Sequence, residues 1–198
     1  MSFEEEQEYW SKTFEGKDFS GEEIDSKEFD GCTFVECNFT DATFDHCNFV
    51  DCEFKRCNLS VVQIKYSKFS DVIFSDCKAI GINWTTVDWP RMMFSAPIKF
   101  YGSIINDSSF FGLPLQDLVI ENCTARDVDF REGDFTCANF KSTDFLGAIF
   151  SQTTLKSADF TDAANFDIDI FNNKIEKAKF DRLEAINLLD CLDIELVD

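Results

Sequence analysis

The chain has 198 residues and a formal net charge of −20, from 38 acidic against 18 basic residues. That balance is the reverse of what neutralising phosphates requires, and it argues against direct binding to nucleic acid or to an anionic membrane surface. With 24 Phe and 44% hydrophobic residues it is not a disordered chain, and no run approaches the roughly 18 apolar residues of a membrane span.

The opening "MSFEEEQEYW" is acidic and lacks the basic start and apolar stretch of a signal peptide. The expectation is a cytoplasmic protein with reduced thiols. Residues 1–12 are read as an N-terminal cap. From Phe14 a large apolar residue returns every five positions, through Phe19, Ile24, Phe29, Phe34 and Phe39, and on to Trp84, Trp89 and Phe94. The frame then slips by one and resumes at Phe100, running through Ile105 and Phe110 to Ile175 and Phe180. Of these 34 positions, 31 are Phe, Leu, Ile or Trp, the exceptions being Ala79, Ala125 and Asn165. A second beat lies two residues earlier and holds small residues, among them Cys32, Cys37, Ala42, Cys47, Cys52, Cys57 and Cys77.

A period of five matches neither the 3.6 of a helix nor the 2 of a strand. It suits a chain that turns a corner every five residues, with one large and one small side chain inward and the polar ones outward. Four such sides close a square coil of about 20 residues, and stacked coils make a solenoid. Eight to nine coils at about 4.8 Å each would give a rod roughly 40 Å long. The fold expected is an all-β solenoid of two repeat segments, 13–94 and 95–180, followed by a helix and dimerisation tail at 181–198.

Three stretches depart from the beat. In "VDWPRMMFSAPIKF", Pro90 and Pro97 cannot donate ladder hydrogen bonds, so a bulge or small loop is expected there. Pro90, Arg91, Met93, Pro97 and Lys99 are its candidate partner-binding residues; Met92 is read as inward. The alternative is a corner repair where Trp84 and Trp89 overfill the coil. "AANFDIDIF" interrupts the second segment near its end. In the tail, Leu183, Ile186, Leu189 and Leu192 lie three apart as an apolar helical stripe, and Leu192, Ile194 and Leu196 then alternate. A stripe that caps the coil, with a free strand beyond it, invites self-pairing, so a homodimer is expected.

The repeated small-x-Phe/Leu-x-x unit resembles the pentapeptide-repeat proteins, over about residues 13–180. The resemblance implies a right-handed quadrilateral β-helix. The tail, with "INWTTVDWP", "NDSSFFGL" and "LLDCLDIELVD", is similar to the Qnr quinolone-resistance and albicidin-resistance subgroup. That narrower resemblance implies a tail-to-tail dimer forming an acidic, DNA-like rod. It also implies DNA gyrase as partner and relief of topoisomerase poisons. The longer projecting loops of Qnr proteins have no counterpart here beyond the short Pro90–Lys99 segment.

Nothing in the residues points to an enzyme or a cofactor. There is no Gly-rich phosphate loop, no HExxH and no GxSxG. The one histidine, His46, falls at an outward position. The CxxxxC steps would send successive thiols to different walls rather than to one metal, so the beat cysteines are read as core packing. Cys137 and Cys191, off the beat, are the candidate reactive thiols. The candidate binding surface is acidic. Glu36, Arg56 and Asp76 would stack on one side, Asp51 over Asp71, and Asp107 over Asp127. Like charges at strand spacing are destabilising, so keeping them suggests an anionic surface for a basic partner; the alternative is that acidity serves solubility.

Overall fold

The structure is a computed structural model and describes residues 6–90, 96–192 and 194–195. Each five-residue side contributes a short extended segment whose central residue is buried. Thr33–Val35 is such a strand, with Phe34 inward and both neighbours half-buried. A strand this short closes no hydrophobic face of its own, so it is stabilised only by an equivalent strand in the next coil.

The equivalent strands of successive coils stack in parallel. On one wall Thr13–Glu15, Thr33–Val35, Glu53–Lys55 and Val72–Ser75 pair in order, with Phe14, Phe34, Phe54 and Phe74 in register. A second wall stacks Glu8–Trp10, Glu28–Asp30, Asn48–Val50 and Lys68–Ser70, and a third Glu23–Asp25, Thr43–Asp45 and Gln63–Lys65. The remaining wall is linked by single bridges, Asp18 to Asn38 to Asn58 to Lys78. Four walls and about eight turns make a solenoid of parallel sheets with nearly no helix, as the period of five predicts.

Hydrogen bonds between coils set the spacing of the core. Thr33 N donates to Lys12 O, Glu53 N to Cys32 O and Ile73 N to Cys52 O, at 2.9 to 3.0 Å. Rings carried on these strands follow the same pitch. Phe34 and Phe54 stack with centroids 4.6 Å apart, Phe54 and Phe74 at 5.0 Å, and Phe29 and Phe49 at 4.9 Å. Adjacent walls meet edge-to-face, as Phe34 does with Phe39 at 5.6 Å. Both arrangements are favourable for aromatic rings. Phe is therefore the side chain whose flat shape fits a backbone repeat of about 4.8 Å.

The small inward slot has a second requirement. Cys32 donates its thiol to Tyr9 O at 3.3 Å, Cys47 to Ile24 O at 3.1 Å and Cys52 to Phe29 O at 3.4 Å. Ser67, Thr143 and Thr153 place a hydroxyl in the same slot and donate to Phe44 O, Ile120 O and Phe130 O. The slot thus takes a small residue, and several of its occupants donate to a buried carbonyl.

Corners are made by left-handed backbone. Positive φ recurs every five residues, at Glu36 (52°), Asp41 (57°), His46 (51°), Asp51 (49°), Arg56 (51°) and Val61 (53°), for example. This conformation aims the corner N–H at the next coil: Glu36 N donates to Lys55 O, and Asp51 N to Ser70 O, both at 2.9 Å. Left-handed backbone suits Gly, Asn and Asp and penalises β-branched residues.

The proline-containing break is larger than the one-residue slip in the sequence suggests. Phe74 pairs with Phe100, whereas a step like that from Phe54 to its partner Phe74 would have reached only position 94. Asp88 N still donates to Ser67 O, whereas Val72 already pairs with Ile98. Six extra residues therefore lie between Asp88 and Ile98. Just before them Trp84 is buried in a short 3-10 turn, Trp84–Thr86, capped by the Asn83 side chain. Its ring lies edge-on to Phe69, Phe74 and Phe100 and stacks over Phe110.

A further expectation changes. Asn165, on the beat, is exposed, and Phe166 and Ile168 are buried in its vicinity instead. The tail forms the expected helix, of the 3-10 type, at Glu184–Leu192. With three residues per turn, a spacing of three aligns side chains directly along one face. Leu188, outside the expected stripe, packs on the core. Among the described residues Ile194 is exposed and not in a strand; Leu196 lies outside them.

Val61 is the corner least suited to its backbone, being β-branched, left-handed and 48% exposed. Replacement Val61→Asn is expected to stabilise the protein by about 1 kcal/mol, read as a raised midpoint in chemical denaturation. A lowered midpoint would contradict this account of the corners.

Candidate partner-binding surface

All six acidic residues singled out in the sequence sit at corners. Glu36, Asp51, Asp71, Asp76, Asp107 and Asp127 have φ between 49° and 57° and are exposed. Their surroundings differ. Glu36 accepts from Arg56 Nε at 2.9 Å, so this corner column is partly neutralised within itself. Asp71 lies 3.7 Å from Lys99 Nζ. Asp76 packs against Gly102 and Asp127 against Gly147, each so closely that a Cβ on the glycine would collide with the carboxylate. Corner acids are thus explained in part by backbone conformation, since Asp tolerates the left-handed region.

The strands hold a sharper electrostatic feature that the corner reading missed. Glu8 is registered directly over Glu28, and Asp25 over Asp45, which is registered in turn with Lys65. At about 5 Å in water two such charges repel by roughly 0.8 kcal/mol. No left-handed backbone accounts for these residues. The signal was present in the sequence, as acids one coil apart at positions flanking the central residue. His46, at the corner beside Asp45, is exposed; its Nδ1 lies 2.6 Å from Asp45 Oδ1 and its ring 5.1 Å from that of Tyr66. Asp25, Asp45 and His46 have ligand atoms within 4.8 Å of one another, the one such cluster among the described residues, and two of the three are exposed.

Acids nearer the core are balanced by partners. Arg131 holds the Asp129 carboxyl below the usual range. Burial would raise Asp159, but the Thr161 hydroxyl and the Lys179 and Lys141 ammonium groups outweigh it and the net shift is downward.

Of the residues assigned to the break, Pro90 is exposed beside Trp89, whose Nε1 donates to Trp84 O at 3.1 Å. Asn48, Lys68, Phe69, Asp88, Trp89 and Pro90 line a shallow cleft of about 280 Å³ at this root. Pro97 is buried, and Lys99 lies half-buried in the strand Ile98–Tyr101, so neither projects from the rod. Arg91 and Met93, with Met92, lie outside the described residues. In the tail, Leu183 is 79% exposed, Ile186 46% and Ile194 54%, whereas Leu189 and Leu192 are half-buried.

These features define a β-solenoid of repeated coils with an acidic exterior, one enlarged coil and an apolar end. Family comparison places it further. The sequence model described as "Pentapeptide repeat region" matches residues 27–97, and that of "Pentapeptide repeats (8 copies)" matches 121–163, together more than half of the chain. The chain belongs to the pentapeptide-repeat proteins. Among solved structures it is similar to full-length QnrB1, a plasmid-mediated fluoroquinolone resistance protein, with 19% identity, a TM-score of 0.55, and coverage of 94% of this chain and 100% of that one. A trypsin-treated QnrB1 variant gives 23% identity and 0.50, covering 96% and 92%. A pentapeptide repeat protein of the Arabidopsis thaliana thylakoid lumen gives 24% and 0.38, covering 54% and 70%. No curated relative matches by sequence. Among the described residues no helix is long and apolar enough to cross a membrane.

The seven beat cysteines, Cys32 through Cys123, are buried, while Cys137 is exposed and Cys191 half-buried. Burial pushes the Cys47 thiol up to about 11 and those of Cys52 and Cys123 to about 12. Thiolate is the reactive form. Ellman's reagent at neutral pH is therefore expected to titrate Cys137 promptly and Cys191 more slowly, the others reacting only in denaturant. Prompt reaction of more than two thiols in the native protein would contradict this assignment.

Proposed function

We propose that the protein is a DNA-mimicking binder of DNA gyrase, or a related type II topoisomerase, that modulates the enzyme or protects it from an albicidin- or quinolone-type poison. The observation that carries this reading is the retention of like charges in register, Glu8 over Glu28 and Asp25 over Asp45, on a rod of net charge −20. Lys65, in register with Asp45, offsets part of one pair; the carboxylates are not needed to turn a corner, and a basic partner is a reason for them. Fold likeness to QnrB1, a fluoroquinolone resistance protein, is consistent with a role against such a poison. The protein acts by binding, through its acidic surface, including Asp51, Asp107 and Asp127, and through the enlarged coil at Pro90.

A second reading keeps the solenoid as an adaptor for another protein, with acidity serving solubility. It is favoured by the corner acids, whose backbone conformation already accounts for Asp.

A supercoiling assay with purified gyrase separates the two. Micromolar protein is expected to alter supercoiling or to relieve inhibition by albicidin or a quinolone, and the double variant Glu28→Lys, Asp45→Lys should lower that effect at least tenfold. No effect of the wild-type protein would leave the adaptor reading.

Dimerisation through the tail follows from the same proposal. Leu183, Ile186 and Ile194 present apolar surface at the end of the rod, where two ends can cover each other. Ile186→Asp, at a position exposed in the single chain, is expected to halve the mass seen by light scattering while the chain stays folded by circular dichroism, with a lower melting temperature as the association is lost. An unchanged dimeric mass, or a monomeric wild-type protein, would place Ile186 outside any interface.

A further inference from the structure

The second interruption, "AANFDIDIF", has no part in the surface proposed above. Here Phe150 bridges Ile168, a step two positions shorter than the ordinary one by which Thr154 bridges Lys174. The shortened side leaves a cleft of about 470 Å³ whose lining includes Leu146, Gly147, Ile149, Phe150, Asp167 and Asp169. Leu146 and Ile149 are 51% and 47% exposed. One coil earlier the same outward positions hold Arg126 and Asp129. Two aliphatic side chains therefore flank one corner, turned at Gly147 with φ 73°, where the preceding coil has two charged ones.

The charges around the cleft are of two kinds. Asp144 is engaged: it accepts from Asn165 Nδ2 at 2.8 Å and pairs with Arg126 at 2.7 Å. Asp167 is exposed and makes no ion pair among the described residues. Asp169 accepts from the Phe171 backbone N–H at 2.8 Å but holds no cation among them. An apolar floor with uncompensated carboxylates on one rim selects a particular chemistry. It favours an apolar group with a cation beside it and repels an acidic one.

We infer that this cleft docks a protein segment that presents an aliphatic or aromatic side chain next to Lys or Arg. A second copy of the chain is a poor complement, because its surface is itself strongly acidic. The inference does not depend on gyrase being the partner.

The test follows the methyl signals of Leu146 and Ile149 in the full chain by NMR. Two synthetic hexapeptides are titrated, Gly-Leu-Phe-Lys-Arg-Gly and its charge-reversed form Gly-Leu-Phe-Glu-Asp-Gly. The basic peptide is expected to shift both methyl groups saturably, with the Ile73 methyl on another wall unmoved, and to bind at least tenfold more tightly than the acidic one. Asp167→Lys should weaken the basic peptide about tenfold. An equal response to both peptides, or to neither, overturns the proposal. Shifts produced by diluting the protein alone overturn it too, by assigning the cleft to a second copy. The charge reversal lies in the peptide, so the comparison stands on the wild-type protein even where a variant folds poorly.

Discussion

The hydrogen bond between one coil and the next is the constraint on which the molecule depends. A three-residue strand has too few contacts to persist alone, and each backbone donor on it is satisfied only by the chain of a neighbouring coil. Once that spacing is imposed, the side chains have little freedom. Rings must lie flat on one another at about 5 Å, as Phe34, Phe54, Phe74 and Phe100 do. The slot beside them must be small, and a thiol or hydroxyl there adds a bond to a buried carbonyl. The cysteines are part of this packing. On the beat they are buried, and at Cys47, Cys52 and Cys123 burial disfavours the thiolate that chemistry would need.

Acidity at the surface has two origins that composition alone cannot separate. At a corner, Asp satisfies a left-handed backbone, so Asp51, Asp71 and Asp107 would be tolerated in the absence of any partner. In a strand, Glu8 over Glu28 and Asp25 over Asp45 serve no such need and repel each other, with Lys65 in register beside Asp45 offsetting part of the second pair. Ion pairs offset part of the charge elsewhere, at Glu36 with Arg56 and at Asp144 with Arg126. Exposed pairs of this kind contribute little stability, so they lower repulsion more than they hold the rod together.

Departures from the repeat are where individuality enters. A regular solenoid presents similar walls along its length, and only an insertion or a deletion makes one place unlike the rest. The coil that gains six residues after Trp84 and the side that loses two before Ile168 are two such places. The apolar end at Leu183 and Ile186 is a third. The first stands out because prolines remove ladder donors. The second does so because its cleft combines exposed aliphatic groups with carboxylates that hold no cation.

The beat of five determined the architecture without any coordinates. Period, corner count and inward residues all follow from Phe and Cys recurring at fixed offsets, because a side chain repeated every five positions can be buried only in a coil that turns that often. The positions of Glu36, Arg56 and Asp76 in one column were legible for the same reason. What only the tertiary structure decided was local. A slip of one in the frame does not distinguish one extra residue from six, since five is itself the period; the pairing of Phe74 with Phe100 resolves it. Likewise a three-residue spacing in the tail fits helices of more than one pitch, and the burial of Pro97, the strand position of Lys99 and the exposure of Asn165 depend on which neighbour supplies the missing hydrogen bond.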